Sequence, residues 1–363
     1  MICWKQGGGT TDYVKPTKQP WLSDVKLVSK GEFKGLIPFE KALIAHMKYK
    51  YPDADIQFIN RFDRSKLENN DVNFLVSLNL LTEWEKGPKP YKAVLQLMKD
   101  PSISIYPNLK EQYFLFDKGG YLEYFKKKGI PIAPSFTVYK PGIKATEILK
   151  QVKQKGWSDF VLKPHWGYAN AGIGKFTTDN KNTPKYIRQF VTKHKQYPGF
   201  VCQEVMQGFA KFWEIKSLWI QGKFRYYVAM KAADKVFSES AIYGTTPDGF
   251  GKAPPQVLRD IKKMGETIVK SFPKLNPKSK PPMYLRLDFG CCRGNTMDGS
   301  SYFLNEVEYA GCAIFSNEAE GMDRTKVLDV WAKAYYEKAL EYVKKQSKKS
   351  KKRTKRTKRK NKK

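Results

Sequence analysis

Short apolar runs recur between Phe136 and Val307, separated by polar stretches in which apolar residues return every three or four positions. The runs at 160–163, 200–205, 214–220 and 224–231 are rich in β-branched and aromatic side chains. Such residues fit a pleated, half-buried surface, so these runs predict strands. A strand is also predicted around Phe136–Val138, and Ile148, Leu149 and Val152 mark an amphipathic helix. A helix over about 256–270 precedes a strand at Met283–Phe289, and a hairpin-like excursion returns through Tyr302–Val307. Val327, Leu328, Trp331, Tyr335, Ala339, Tyr342 and Val343 recur at helical spacing and predict a closing helix packed on the core.

Upstream the pattern is choppier. Residues 1–20 hold Gly7-Gly8-Gly9 and two prolines and suggest a flexible lead-in. From Trp21 to about Lys110, runs such as Ile56-Gln57-Phe58-Ile59 and Val72–Val76 alternate with polar helical stretches. That suggests a small α/β lobe, with Pro88, Pro90, Pro101 and Pro107 punctuating its far edge. Then Asp117–Phe125 reads as a helix that Gly129 closes before Ile130-Pro131-Ile132 leads to the next strand. The whole is of α+β or α/β class, and 363 residues suggest two or three lobes. No run of roughly 18 apolar residues occurs, so no membrane span is expected, and the N-terminus lacks a secretory pattern.

Hydrophobic residues make up 41% of the chain, which excludes wholesale disorder, while the net charge is +32. Fourteen of those charges lie in residues 344–363, a stretch with no acidic and no apolar residue, leaving +18 elsewhere. Such a tail cannot offset its ordering entropy and is expected to be disordered. Its readings are a solubilising appendage, a nuclear-import signal, or an anchor on nucleic acid or another polyanion. Five cysteines without C-x-x-C pairs and three scattered histidines argue against zinc. The odd cysteine count, with no secretion signal, points to an intracellular, reducing compartment.

The stretch most suggestive of chemistry is Phe160-Val161-Leu162-Lys163-Pro164-His165-Trp166-Gly167-Tyr168-Ala169-Asn170-Ala171-Gly172-Ile173-Gly174. A strand-borne lysine feeding a glycine loop supplies a fixed cation and backbone amides that can converge on phosphate. Alone it is equally a hairpin with glycines at its turn. Downstream, Arg286 and Asp288 share one face of a strand, as do Glu306 and Glu308. Three carboxylates and an arginine on neighbouring strands form a hard-oxygen site suited to Mg²⁺. Solvated strand faces are hard to sustain within Leu-Arg-Leu-Asp-Phe and Phe-Leu-Asn-Glu-Val-Glu-Tyr, whose apolar neighbours imply burial.

This ordered set, over about residues 112–321, resembles the ATP-grasp superfamily of glutathione synthetase, D-alanine–D-alanine ligase and the ribosomal-protein glutamate ligases. The resemblance implies two α+β lobes holding a nucleotide, with a lid lobe at about 135–206. The implied layout is a pre-ATP-grasp α/β domain at 21–110, the ATP-grasp domain at 111–343 and the basic tail. It implies that Lys118 and Lys163 meet the ATP phosphates, beneath a loop containing Gly167, Gly172 and Gly174. Gln203, Glu204, Val205 and Met206 resemble the hinge that reads adenine, and Glu214 the acid that holds the ribose. Lys231 stands where a cation faces phosphate, and Arg286 where an arginine steadies phosphoryl and acyl oxygens. Asp288, Glu306 and Glu308 would be the magnesium ligands.

Two positions depart from the pattern: Lys216 where many relatives have Arg, and Glu308 where many have Asn. Every charged role remains filled, so an active enzyme is expected. The activity implied is an ATP-dependent ligation of a carboxylate to an amine, less commonly another nucleophile, through an acylphosphate. The alternatives are a nucleic-acid- or polyanion-associated protein with little ligase activity, and a kinase-like phosphotransferase. Trp166 suits packing, His165 suits packing or substrate contact, and Phe237–Thr246 is a candidate acceptor loop.

Overall fold

The computed structural model describes residues 13–360 except 16–18, 32, 77–78, 140–142, 168–171, 207–212, 232–249, 276–281, 292–301, 310–311, 313 and 315–321. The glycine triplet, the Phe237–Thr246 loop, Cys3 and Cys292 lie outside the described residues.

The N-terminal third holds two small sheets. β1 (Tyr13–Val14) and β2 (Ile37–Pro38) form an antiparallel ribbon leading into helix α1 (Phe39–Lys50). After α2 (Arg64–Leu67) comes β3 (Asn73–Phe74), which pairs in parallel with β4 (Ile105–Tyr106); α3 (Leu80–Glu85) and α4 (Pro88–Lys99) lie between them. Pro88 opens α4, where its missing N–H costs nothing, after Gly87 turns the chain at φ +113°. The run Ile56–Ile59 forms no strand: Ile59 is buried but Phe58 is exposed. Ile59 makes only an isolated β-bridge and packs with Leu67, Leu75, Ile103 and Ile105. α5 (Leu109–Phe116) and α6 (Lys118–Lys126) follow, each with an acceptor side chain at its N-cap, Asn108 and Asp117.

Two larger antiparallel sheets follow. The first contains β5 (Ser135–Tyr139), β6 (Asp159–Pro164), β7 (Gly174–Thr177) and β8 (Gly199–Glu204) in the order β5-β8-β6-β7. Phe160, Leu162, Phe200 and Cys202 point to one side, where Ile148 and Val152 of α7 (Ala145–Gln154) and Ile187 of α8 (Thr183–Lys193) complete a core. Strand alternation turns Val161, Lys163, Val201 and Gln203 to the other side.

The second sheet has the order β11-β10-β9-β12-β13, from β9 (Trp213–Ile220), β10 (Lys223–Lys231), β11 (Phe250–Gly251), β12 (Tyr284–Cys291) and β13 (Tyr302–Glu308). One face packs on α9 (Pro255–Ser271), with Gly265 lying against the Trp219 ring. The other face is divided. At one end Tyr226 and Tyr284 meet Trp331 of the last helix, α10 (Arg324–Lys360). At the other it carries a row of charged side chains.

The N-terminal elements join this larger core: Val14, Ile37, Phe39 and Leu43 belong to the same apolar cluster as Trp219, Leu287 and Trp331. The helical backbone of α10 continues past Val343, but the chain offers no apolar side chain to bury beyond that residue.

Candidate active site

Strands β9, β12 and β13 lie side by side, and their registers place Lys216, Asp288 and Glu306 in one row across the sheet. Arg286 and Glu308 pair in the next row, and Glu214 precedes Lys216 by two residues on the same face. The Arg286 guanidinium grips Asp288 with two bonds, Nε to Oδ1 and Nη2 to Oδ2, both 2.8 Å. Its Nη2 also lies 2.7 Å from Glu308 Oε2. Lys216 Nζ bridges Asp288 Oδ2 at 2.8 Å and Glu214 Oε2 at 3.0 Å. Asp288 is completely buried beneath these contacts.

A register slip completes the row. Asp288 faces Glu306, yet Phe289 faces Leu304, so Asn305 is an extra residue in β13. In an unbroken strand Asn305 would point away from Glu306; a bulge can re-aim it. Asn305 Nδ2 donates to Glu214 Oε1 at 3.1 Å, and its Oδ1 accepts from Lys163 Nζ at 3.0 Å. Lys163 comes from β6 of the other large sheet, and Lys118, at the start of α6, pairs with Glu306. Four cations and four carboxylates thus interlock where the two sheets approach each other.

The interlocking sets the protonation of each group. Burial alone would push the Asp288 carboxyl up, but Arg286 and Lys216 outweigh it and hold it down at about 2. Burial likewise works against the Glu306 carboxylate, and Lys118 more than compensates. Glu308 is different: burial pushes its carboxyl up to about 7 against the pull of Arg286, with Glu306 and Asp288 adding repulsion. Burial pulls the Lys163 ammonium down to about 8, with Glu306 opposing. Lys216 shifts upward despite its burial, because Asp288 and Glu214 flank it.

In this state side-chain cations pair with Glu214, Asp288 and Glu306, and no ready-made cluster of metal ligands occurs among the described residues. The donor set nevertheless suits a hard divalent cation. Glu306 and Glu308 share a face beside Asp288, and Glu308 carries a charge that Arg286 does not fully compensate.

The remaining sequence-predicted residues fall as follows. Gly167 follows the β6 exit, Gly172 has φ +72° and Gly174 opens β7. Trp166 adopts φ +63° and packs among Trp84, Tyr113 and Phe116, which bears out a packing role. Gln203 and Glu204 end β8 and are buried; Val205 N–H is bonded to Asp159 O, and Met206 makes no hydrogen bond among the described residues. Lys231 ends β10 opposite Trp213, and its side chain lies outside what the structure describes.

Sequence reasoning missed Asn305 and Asp117 and assigned Lys216 no partner. A polar residue in an otherwise apolar strand, directly before Glu306, was the signal for Asn305. An Asx residue before Lys-Gly-Gly was the signal for Asp117 as a helix cap.

This architecture, two α+β sheets closing on charged strands, defines the class: the chain has the ATP-grasp fold. Similar solved structures include D-cycloserine synthetase DcsG, at 15% identity and TM-score 0.58, covering 82% of this chain and 97% of that one. D-alanine–D-alanine ligase from Bacillus anthracis, solved with ATP, matches at 16% identity and TM-score 0.54, covering 85% and 95%. The ATP-grasp ligase PsnB, solved with a minimal precursor, matches at 12% identity and TM-score 0.53, covering 83% and 95%. No family model matches the chain, and no curated protein matches its sequence.

Proposed function

We propose that this protein is an ATP-dependent carboxylate–amine ligase that uses Mg-ATP and forms an acylphosphate. The observation that carries the reading is the convergence of Lys118 and Lys163 on β13, beside the row Lys216, Asp288 and Glu306. A triphosphate needs fixed cations on one side, and a cluster of carboxylates on the other suits its metal.

In this reading Lys118 and Lys163 leave their present partners to meet the phosphates, and the loop through Gly167, Gly172 and Gly174 covers them. Backbone groups of Glu204 and Met206 face adenine, flanked by Gln203 and Val205, and Glu214 faces the ribose. Lys231 faces phosphate from β10. Asp288, Glu306 and Glu308 would hold Mg²⁺, which when bound supplies countercharge to the triphosphate. A substrate carboxylate oxygen attacks the γ-phosphorus, the bond to the β-phosphate oxygen breaks, and ADP leaves. The amine then attacks the acyl carbon, the carbon–oxygen bond to phosphate breaks, and the amine gives up its proton. Arg286 steadies the oxygens that gain charge in both steps.

The layout proposed with this function is a lead-in at 1–20, a pre-ATP-grasp domain at 21–110, the ATP-grasp domain at 111–343 and the tail at 344–363. A reducing, intracellular location belongs to the same proposal. Nothing in the described residues favours the nucleic-acid or kinase-like readings. ADP release screened across pools of acids and amines tests the function. Turnover that requires both an acid and an amine supports it, whereas ADP release indifferent to added amine rejects it.

A further inference from the structure

His165 is used by none of the roles above, yet it is almost completely buried, with 1% of its surface exposed. It follows β6 directly, two residues after Lys163. Its Nδ1 lies 2.9 Å from Oδ1 of Asp117, the residue immediately before Lys118. The contact is one of proximity, since neither ring nitrogen has an aligned hydrogen-bond partner. Asp117 also caps α6 by accepting the Gly120 N–H at 3.1 Å. One carboxylate therefore faces both the imidazole and the helix turn that carries Lys118.

Backbone bonds hold the same two segments together. Trp166 N–H donates to Phe116 O at 2.9 Å, so residues 165–166 run beside residues 116–117. His165 N–H donates to Gly199 O on β8, also at 2.9 Å. The Tyr139 ring stacks on the imidazole, with centroids 4.9 Å apart and planes 21° from parallel. Two glycines make room for the ring: a Cβ on Gly119 would lie 2.7 Å from its Cε1, and one on Gly199 3.2 Å from its Cδ2. The surroundings of His165 are thus built by α6, β5, β6 and β8 together.

We infer that His165 is a positioning residue: with Asp117 it locks the start of α6 to the end of β6, and so fixes the spacing between the Lys118 and Lys163 ammonium groups. The spacing matters because Lys118 and Lys163 reach adjacent residues, Glu306 and Asn305, of the opposing sheet. Two cations on separate elements cooperate on one polyphosphate only if those elements keep register. A packing role alone would stabilise the lobe without favouring phosphate over the rest of the nucleotide.

This inference rests on the nucleotide reading of the site and deepens it. The test compares ATP and adenosine binding by calorimetry in the full chain, for the wild type, His165→Asn and Asp117→Asn. Asp117→Asn keeps an acceptor for the helix cap while removing the charge facing the imidazole, so it serves even if His165→Asn fails to fold. The expected result is a roughly tenfold weaker affinity for ATP in each folded variant, with adenosine affinity unchanged. Equal losses for ATP and adenosine, or no loss for either, overturn the positioning role. A wild type that binds ATP no better than adenosine removes both this inference and the proposed nucleotide site.

Discussion

Glu308 offers the sharpest quantitative consequence of the charge row. Its carboxyl rises from an ordinary 4.5 to about 7, because burial and the charges of Glu306 and Asp288 outweigh Arg286. Between those two values the folded protein holds more protons than the unfolded chain, so stability falls as pH rises through that window. Above pH 7 the whole cost is present. At roughly 1.4 kcal/mol per tenfold, the rise amounts to about 3 kcal/mol. The side chain is 24% exposed and keeps a 2.7 Å contact to Arg286, so about 1–3 kcal/mol is the expected net figure. Glu308→Gln keeps an oxygen for Arg286 and removes the charge. Urea unfolding of ligand-free protein at pH 5 and pH 8 should show the wild type losing stability relative to the variant, with the variant ahead at pH 8. With Glu308 as one of the proposed Mg²⁺ ligands, added Mg²⁺ should reverse that order by supplying countercharge. A variant less stable than the wild type at pH 8 without metal would refute the electrostatic reasoning.

Other consequences follow from neighbouring contacts. Arg286→Ala strips the completely buried Asp288 of its bidentate partner and should cost about 3–5 kcal/mol, measured as a shift in urea midpoint. Gly265→Ala would place a Cβ 2.1 Å from Trp219 Cζ2, and overpacking of that kind should cost about 1–3 kcal/mol in the same assay. Burial lowers the Lys163 ammonium to about 8, so ATP affinity should decline above pH 8 in the wild type. In Lys163→Arg, whose guanidinium stays charged, the decline should be absent; a parallel decline in both proteins would place the titrating group elsewhere.

Much of this fold was legible wherever one face of an element is buried. Phe160 and Leu162 alternate with Val161 and Lys163, and the resulting strand, Asp159–Pro164, matches the pattern to within a residue. The same holds for β9 and α9, while β12 runs two residues beyond the expected Phe289. The signal weakens in the N-terminal third, where strands are two residues long and Ile59 joins the small core of Leu67, Leu75, Ile103 and Ile105 from a segment with only an isolated bridge. Proline is ambiguous there too, because Pro88 begins a helix as readily as it ends one.

At the site, spacing indicated that Arg286 and Asp288 share a face, as do Glu306 and Glu308. It did not show Asn305 turned towards Glu214 by a one-residue slip, since bulges depend on how two strands pair. Nor did it show that Lys216 and Lys118 neutralise the carboxylates. Those contacts join residues 72 and 188 positions apart, and only the tertiary fold brings them together.

In the proposed reaction a carboxylate oxygen attacks ATP at this site. Running the reaction with an ¹⁸O-labelled carboxylate pool plus amines, and weighing the phosphate released, tests that step. Transfer of one ¹⁸O from the acid to phosphate, dependent on ATP and lost in Asp288→Asn, is the predicted result. Product formation with unlabelled phosphate would contradict it.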